Sequence, residues 1–298
     1  MMSRIIDGFP ADFADPADDY EAVRRKFKPF HGHPIAPDTR TERTVVGGVP
    51  ATWVSRAGGR EPEVTALFCH GGAFVSCDAT DYHFYAEIAV RQLGVRVLLA
   101  DYRLAPEHRF PAALDDCFAA YRGLIDSRCD PKRLLVIGDS CGGGLGIATL
   151  YRARNAGLPM PAGLLALSGW FDLDTSGYAP EYRGRRDPFQ DPLWFRERVK
   201  DYLGPGGDAH DPLASPARGN PAGLPPLLLQ VGEVDLHRQD AERFRARAIE
   251  AGVDATVDVA EGAVHGFQGM ANIGLPEAIA SWQRAAAFLD RCLAQARR

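Results

Sequence analysis

From about residue 44 onward the chain alternates short, almost unbroken apolar runs with longer stretches in which apolar residues recur every three or four positions. The runs at 64–69, 95–100, 133–138, 164–168 and 227–231, with a weaker one at 255–259, predict strands buried on both faces. The periodic stretches at 82–92, 112–125, 141–155, 239–251 and 278–296 predict helices between them. The last of these ends in basic residues, as a helix C-terminus favours. Strands alternating with helices in this way imply a parallel sheet covered by helices, the α/β class.

Two segments break the rhythm. Residues 1 to about 40 set Phe9, Phe13, Tyr20, Phe27 and Phe30 among charges, with a helix expected at 21–27. The stretch 174–211 is rich in Pro, Gly, Arg and aromatic residues and holds no credible strand. Both are expected to be cap elements over a single domain spanning 1–298, the second as an insertion after a strand. Charge adds little to this picture. A net charge of −5 on an otherwise ordinary composition points to neither a nucleic-acid nor a membrane-surface partner. The N-terminal residues lack the apolar run of a signal peptide and no stretch approaches a membrane span, so a cytoplasmic location is expected. Six cysteines without a Cys-x-x-Cys pair or clustering with histidine predict reduced thiols and no metal site.

Candidate chemistry begins with Gly138-Asp139-Ser140-Cys141-Gly142, between a predicted strand and a predicted helix. A turn that tight excludes side chains at its flanks, which glycine answers, and the helix N-terminus behind Ser140 favours a developing oxyanion. His70-Gly71-Gly72-Ala73-Phe74 follows the strand at 64–69, where glycines would let backbone N–H groups reach a substrate oxygen. The N–H groups of Gly71, Gly72 and Cys141 are the candidate oxyanion hole. A serine nucleophile needs a histidine base and a carboxylate to orient it, here in the chain order serine, acid, histidine. His210, His237 and His265 follow Ser140. His265 lies in the loop before the final helix, where the base belongs, whereas His210 and His237 read as solvated polar residues. Asp235, just beyond the strand at 227–231, is the candidate acid, with Glu233 and Asp240 as competitors. Cys141 reads as a small side chain lining an acyl pocket, not as the nucleophile. Phe74, Trp170 and Phe171 are candidate substrate-pocket residues.

His70-Gly71-Gly72, the block Asp101-Tyr102-Arg103-Leu104-Ala105-Pro106-Glu107 continuing through Phe110-Pro111-Ala112-Ala113 to Asp115-Asp116, Gly138-Asp139-Ser140-Cys141-Gly142-Gly143 and His265-Gly266-Phe267 together resemble the hormone-sensitive-lipase-like family of bacterial esterases. Asp211-Pro212 and Ser215-Pro216 also match, and the resemblance runs over about residues 64–298. It implies an α/β-hydrolase fold with a mostly parallel eight-stranded sheet, an N-terminal cap and an insertion after the sixth strand. It further implies a carboxylesterase for short to medium acyl esters or small lactones, without cofactor or metal. It carries the triad roles to Ser140, Asp235 and His265 and the oxyanion role to Gly71 and Gly72. A homodimer paired through an edge strand is a family option. The chain departs from the family pattern in Cys141, where alanine is usual, and in the acid motif, which reads Val234-Asp235-Leu236-His237. Two rival readings are an amidase or formamidase on the same triad, separable with paired ester and amide substrates, and a non-catalytic ligand-binding homologue, whose usual mark is a missing base.

Overall fold

The computed structural model describes residues 13–31, 33–58, 61–178, 187 and 189–297. Phe9 and the parts of the expected caps at 1–12, 32, 179–186 and 188 lie outside the described residues. Eight strands form one sheet: β1 (Thr39–Val46), β2 (Val49–Arg56), β3 (Thr65–Cys69), β4 (Arg96–Ala100), β5 (Leu134–Asp139), β6 (Gly163–Leu167), β7 (Leu227–Gly232) and β8 (Ala255–Ala260), in the order β1-β2-β4-β3-β5-β6-β7-β8. The ladders from β4 through β8 are parallel, and β1–β2 and β2–β4 are antiparallel.

The helices are α1 (Tyr20–His31), α2 (His83–Leu93), α3 (Ala112–Asp126), α4 (Cys141–Asn155), α5 (Pro192–Leu203), α6 (Arg238–Glu250) and α7 (Pro276–Ala296). The side-chain period of two sorts the central strands onto two cores. Leu135, Ile137 and Phe68 face one side with α2 and with Trp282 and Phe288 of α7. Leu134, Val136 and Leu67 face the other with Tyr121 of α3, Ile147 of α4 and Phe244 of α6. Burial on both faces explains why these strands read as continuous apolar runs.

Two elements differ from the sequence expectation. The hairpin β1–β2 has no apolar run to announce it, because β1 is an edge strand whose Arg, Thr and Glu side chains are mostly solvent-facing. Its two-residue turn is Gly47-Gly48, both at positive φ (61° and 83°), the backbone such a hairpin turn requires. Within 174–211 the structure holds the helix α5, started by Asp191, whose carboxylate accepts the N–H groups of Leu193 and Trp194, and by Pro192.

Helices α1 and α5 meet. Phe27 stacks on Trp194 with ring centroids 5.9 Å apart, and the buried Arg198 guanidinium donates to the Asp18 carbonyl at 2.9 Å. Among the described residues no helix is long and apolar enough to cross a membrane. All six cysteines are free thiols.

Candidate active site

Ser140 stands between β5 and α4 at φ 52°, ψ −122°, a conformation costly for a residue with a side chain. Its neighbours enforce it. The Ser140 N–H donates to the Leu167 carbonyl of β6 and its own carbonyl accepts from Gly143 and Trp170, each at 2.9 Å. The flanking glycines are required sterically: a Cβ on Gly138 would strike the Gly142 carbonyl, and one on Gly142 would strike the carbonyls of Cys69 and His70.

The loop after β8 brings His265 to this serine. His265 Nε2 lies 2.9 Å from Ser140 Oγ, and its Nδ1 lies 3.1 Å from Asp235 Oδ2. Asp235 is therefore the carboxylate beside the imidazole. Glu233 instead accepts the Gly262 N–H, and Asp240 is engaged by Tyr178 and Arg243. Burial opposes the ionised form of Asp235, but the charge and hydrogen bond of His265 outweigh it and hold the carboxyl at about 2. Burial likewise opposes the imidazolium of His265, and the carboxylates of Asp235, Asp187 and Asp139 outweigh it, raising His265 to about 9.

The second oxygen of the acid is also occupied. Asp235 Oδ1 accepts the His237 N–H at 2.9 Å and Gln190 Nε2 at 2.8 Å. Asp187 accepts the His265 backbone N–H at 2.8 Å, and burial raises its carboxyl to about 7. Neither Gln190 nor Asp187 carried a signal in the sequence. They sit 45 and 78 residues from their partners, inside a segment with no periodic pattern. His237 corrects the expectation of a solvated residue: it is fully buried, stacked against Trp170, with Nδ1 3.0 Å from the Tyr178 hydroxyl. His210 is exposed and pairs with Asp174. Donor atoms of Asp235, His237 and His265 lie within 4.8 Å of one another. Asp235 and His265 are committed to each other, so the group reads as an acid–base pair beside a second imidazole and not as a cation site.

Gly72, at φ 106°, and Ala73 line a cavity beside Ser140, while Gly71 lies deeper, against Asp139 and the Tyr82 hydroxyl. The block beginning at Asp101 holds this loop. Tyr102 donates to the His70 carbonyl at 2.8 Å and stacks on the His70 ring, and the Ala105 N–H donates to the Phe74 carbonyl. Glu107 pairs with Arg24 of α1, whose Nε donates to the Val75 carbonyl at 2.7 Å. The motif thus ties the glycine loop to the first helix.

The cavity measures about 280 Å³ and is rich in aromatic residues, with Phe27, Phe84, Phe189, Trp194 and Phe195 among its walls and Ser140, His265 and Asp139 among its polar groups. Phe74, Trp170 and Phe171, expected to line it, do not. Phe74 stacks on Tyr202 at 3.8 Å, Trp170 packs on Phe195 and His237, and Phe171 joins the core with Phe244. Their places at strand ends put them behind the site, and the walls come instead from α1, α2, the 174–211 segment and the stretch from His265 to Ile273. The Cys141 thiol is likewise not in the lining. It accepts the Phe74 N–H at 3.3 Å beneath the glycine loop, and burial pushes it up to about 12, which leaves it a poor nucleophile.

Residues 66–269 match the family described as alpha/beta hydrolase fold. The chain is 38% identical over 213 residues to an acetyl-hydrolase of Streptomyces hygroscopicus, covering 72% of this chain and 70% of that protein. It is 32% identical over 209 residues to an esterase of Acinetobacter venetianus, covering 70% and 69%. The crystal structure of an esterase from the bacterial hormone-sensitive lipase family superimposes with a TM-score of 0.88 at 37% identity, over 98% of each chain. The chain belongs to the α/β-hydrolase fold family, within its hormone-sensitive-lipase-like group of bacterial esterases.

Proposed function

We propose that the protein is a serine carboxylesterase acting on short to medium acyl esters or small lactones, with Ser140 as nucleophile, His265 as base and Asp235 as orienting acid. The observation that carries the reading is the continuous chain from Ser140 Oγ through His265 to Asp235, opening on an apolar cavity. The relatives named esterase and acetyl-hydrolase agree with it.

Asp235 holds Nδ1 protonated, which leaves Nε2 free to take the Ser140 proton as Oγ attacks the substrate carbonyl. The N–H of Gly72, beside the cavity, and that of Cys141, behind Ser140, then stabilise the tetrahedral oxyanion, and α4 presents its positive end there. His265 returns the proton to the leaving alkoxide, giving an acyl-serine. Water, deprotonated by the same nitrogen, attacks the acyl carbon, and collapse releases the acid and restores Ser140. For a lactone the leaving alkoxide and the acid are two ends of one product. In this reading the described parts of 1–40 and 174–211 serve as caps whose aromatic residues set the acyl and alcohol space.

The test is hydrolysis of p-nitrophenyl esters of increasing acyl length, with a small lactone and an anilide alongside. Ser140→Ala or His265→Ala should lower kcat on esters by about 10⁴-fold or more while the protein stays folded. Full ester turnover by Ser140→Ala would remove the serine mechanism, and turnover of the anilide at the rate of the esters would favour an amidase.

A further inference from the structure

The segment that walls the cavity also completes the hydrogen bonding of the acid. Gln190 spans two positions at once: its Nε2 donates to Asp235 Oδ1 at 2.8 Å, and its Oε1 accepts the N–H of Leu236, the next residue. A neutral amide offers the donor and the acceptor that these two positions call for without adding a charge beside Asp235. Its neighbour Phe189 lines the cavity and meets Phe13 edge-to-face at 5.4 Å, and the Gln190 N–H donates back to the Asp187 carbonyl.

With Oδ1 taken by Gln190 and by the His237 N–H, Oδ2 alone is left for His265 Nδ1. We propose that Gln190 is a positioning residue for the triad acid, supplied by the cavity wall, so that the wall and the catalytic hydrogen bonds are set as one unit. This rests on the esterase reading above. Gln190 touches neither substrate nor reacting atoms and acts through Asp235. The titratable groups around Asp235 are His265 from the loop after β8, His237 from the start of α6, Asp187 and Tyr178 from the insertion, and Asp139 from the end of β5.

Two variants test it. Gln190→Leu keeps bulk and loses both hydrogen bonds, so on p-nitrophenyl acetate kcat should fall on the order of 10- to 100-fold, with KM little changed. Gln190→Glu reads out the chemistry. Protonated, its carboxyl accepts from Leu236 N–H and donates to Asp235 Oδ1 as the amide does. Ionised, it sets a second negative charge against Asp235. The ratio of its kcat to that of the wild type, each on the same ester from pH 6 to pH 9, should therefore decline as pH rises.

A stably folded Gln190→Leu with wild-type kcat overturns the proposal, as does a Gln190→Glu ratio that is flat with pH. If Gln190→Leu does not fold, the Gln190→Glu ratio decides alone. Ser140→Ala in the same assay reports separately on the serine mechanism, so failure of that reading is not mistaken for failure of this one.

Discussion

The imidazole of His265 meets carboxylates from three directions: Asp235 from the loop after β7, Asp187 from the insertion and Asp139 from the end of β5. Burial alone would make the ring harder to protonate, and these charges reverse that, raising it to about 9 against an ordinary value near 6.5. General-base catalysis needs the neutral ring. For an uncharged ester, kcat/KM should accordingly climb with pH along a limb on the alkaline side of an ordinary histidine. Asp187→Asn takes away one negative charge facing the imidazolium. A cation that loses an opposite charge gives up its proton more easily, so the limb should move toward acid, by about one pH unit. Stopped-assay kcat/KM values across pH 5 to 10 check this. An unmoved limb would mean that Asp187 serves only to hold the His265 backbone N–H. The same three-carboxylate arrangement makes Asp139, raised to about 6 chiefly by burial and held back by the charge of His265 and the hydroxyl of Tyr82, an electrostatic neighbour of the imidazole.

At the scale of elements, the elbow depends on how closely α4 approaches the end of β3. Gly142→Ala would press a Cβ into the backbone carbonyls of Cys69 and His70, and backbone, unlike a flexible side chain, cannot turn aside. The glycine loop must then shift, and kcat should fall by about 100-fold or more. Gly146→Ala, one turn further along the same helix, meets only side-chain atoms of Val136 and Leu164 at 3.2 and 3.4 Å, so its kcat should stay near wild type. Equal losses in the two variants would mean that helix packing in general, and not the β3 approach, limits the site. What the sequence disclosed follows the same division. Helix 141–155 and the Ser140 elbow were legible together, because an apolar strand precedes the glycine-flanked serine and a long proline-free stretch follows it, even though the helix is buried on nearly every side. Strand β1 was not, since an edge strand dressed in Arg and Glu has no apolar run, and only Gly47-Gly48 marked its turn. Helix α5 was hidden by its mixed aromatic and charged content, its Asp191-Pro192 start being the one local sign. Gln190 and Asp187 have no sequence signature at all, because their roles exist only once distant loops have met.

At the scale of the whole molecule, the turns after β5, β7 and β8 carry Ser140, Asp235 and His265, and the layer formed by α1 and α5 gives Phe27, Trp194 and Phe195 to the wall of the cavity beside them. Trp194 joins these roles: it lines the cavity, stacks on Phe27 of α1, and lies under the Arg198 guanidinium, 5.3 Å from the ring centroid. Trp194→Leu retains part of the buried area, so it should cost less than the about 3–5 kcal/mol typical of truncating a buried aromatic to alanine. It also removes one wall of a 280 Å³ cavity without touching Ser140, His265 or Asp235. If the α1–α5 layer sets acyl size, the variant should turn over acetyl esters near the wild-type rate while kcat/KM for hexanoyl and octanoyl esters rises relative to acetyl. Phe27→Leu, on the opposite side of the same stack, should shift the profile in the same direction, since it opens the same space from α1. Chain-length profiles measured beside thermal unfolding curves separate the two consequences. A lowered melting temperature with an unchanged profile would mean that the aromatic layer stabilises the fold without gauging the substrate, and that acyl length is limited elsewhere along the cavity, at the walls contributed by α2 and by the segment after His265.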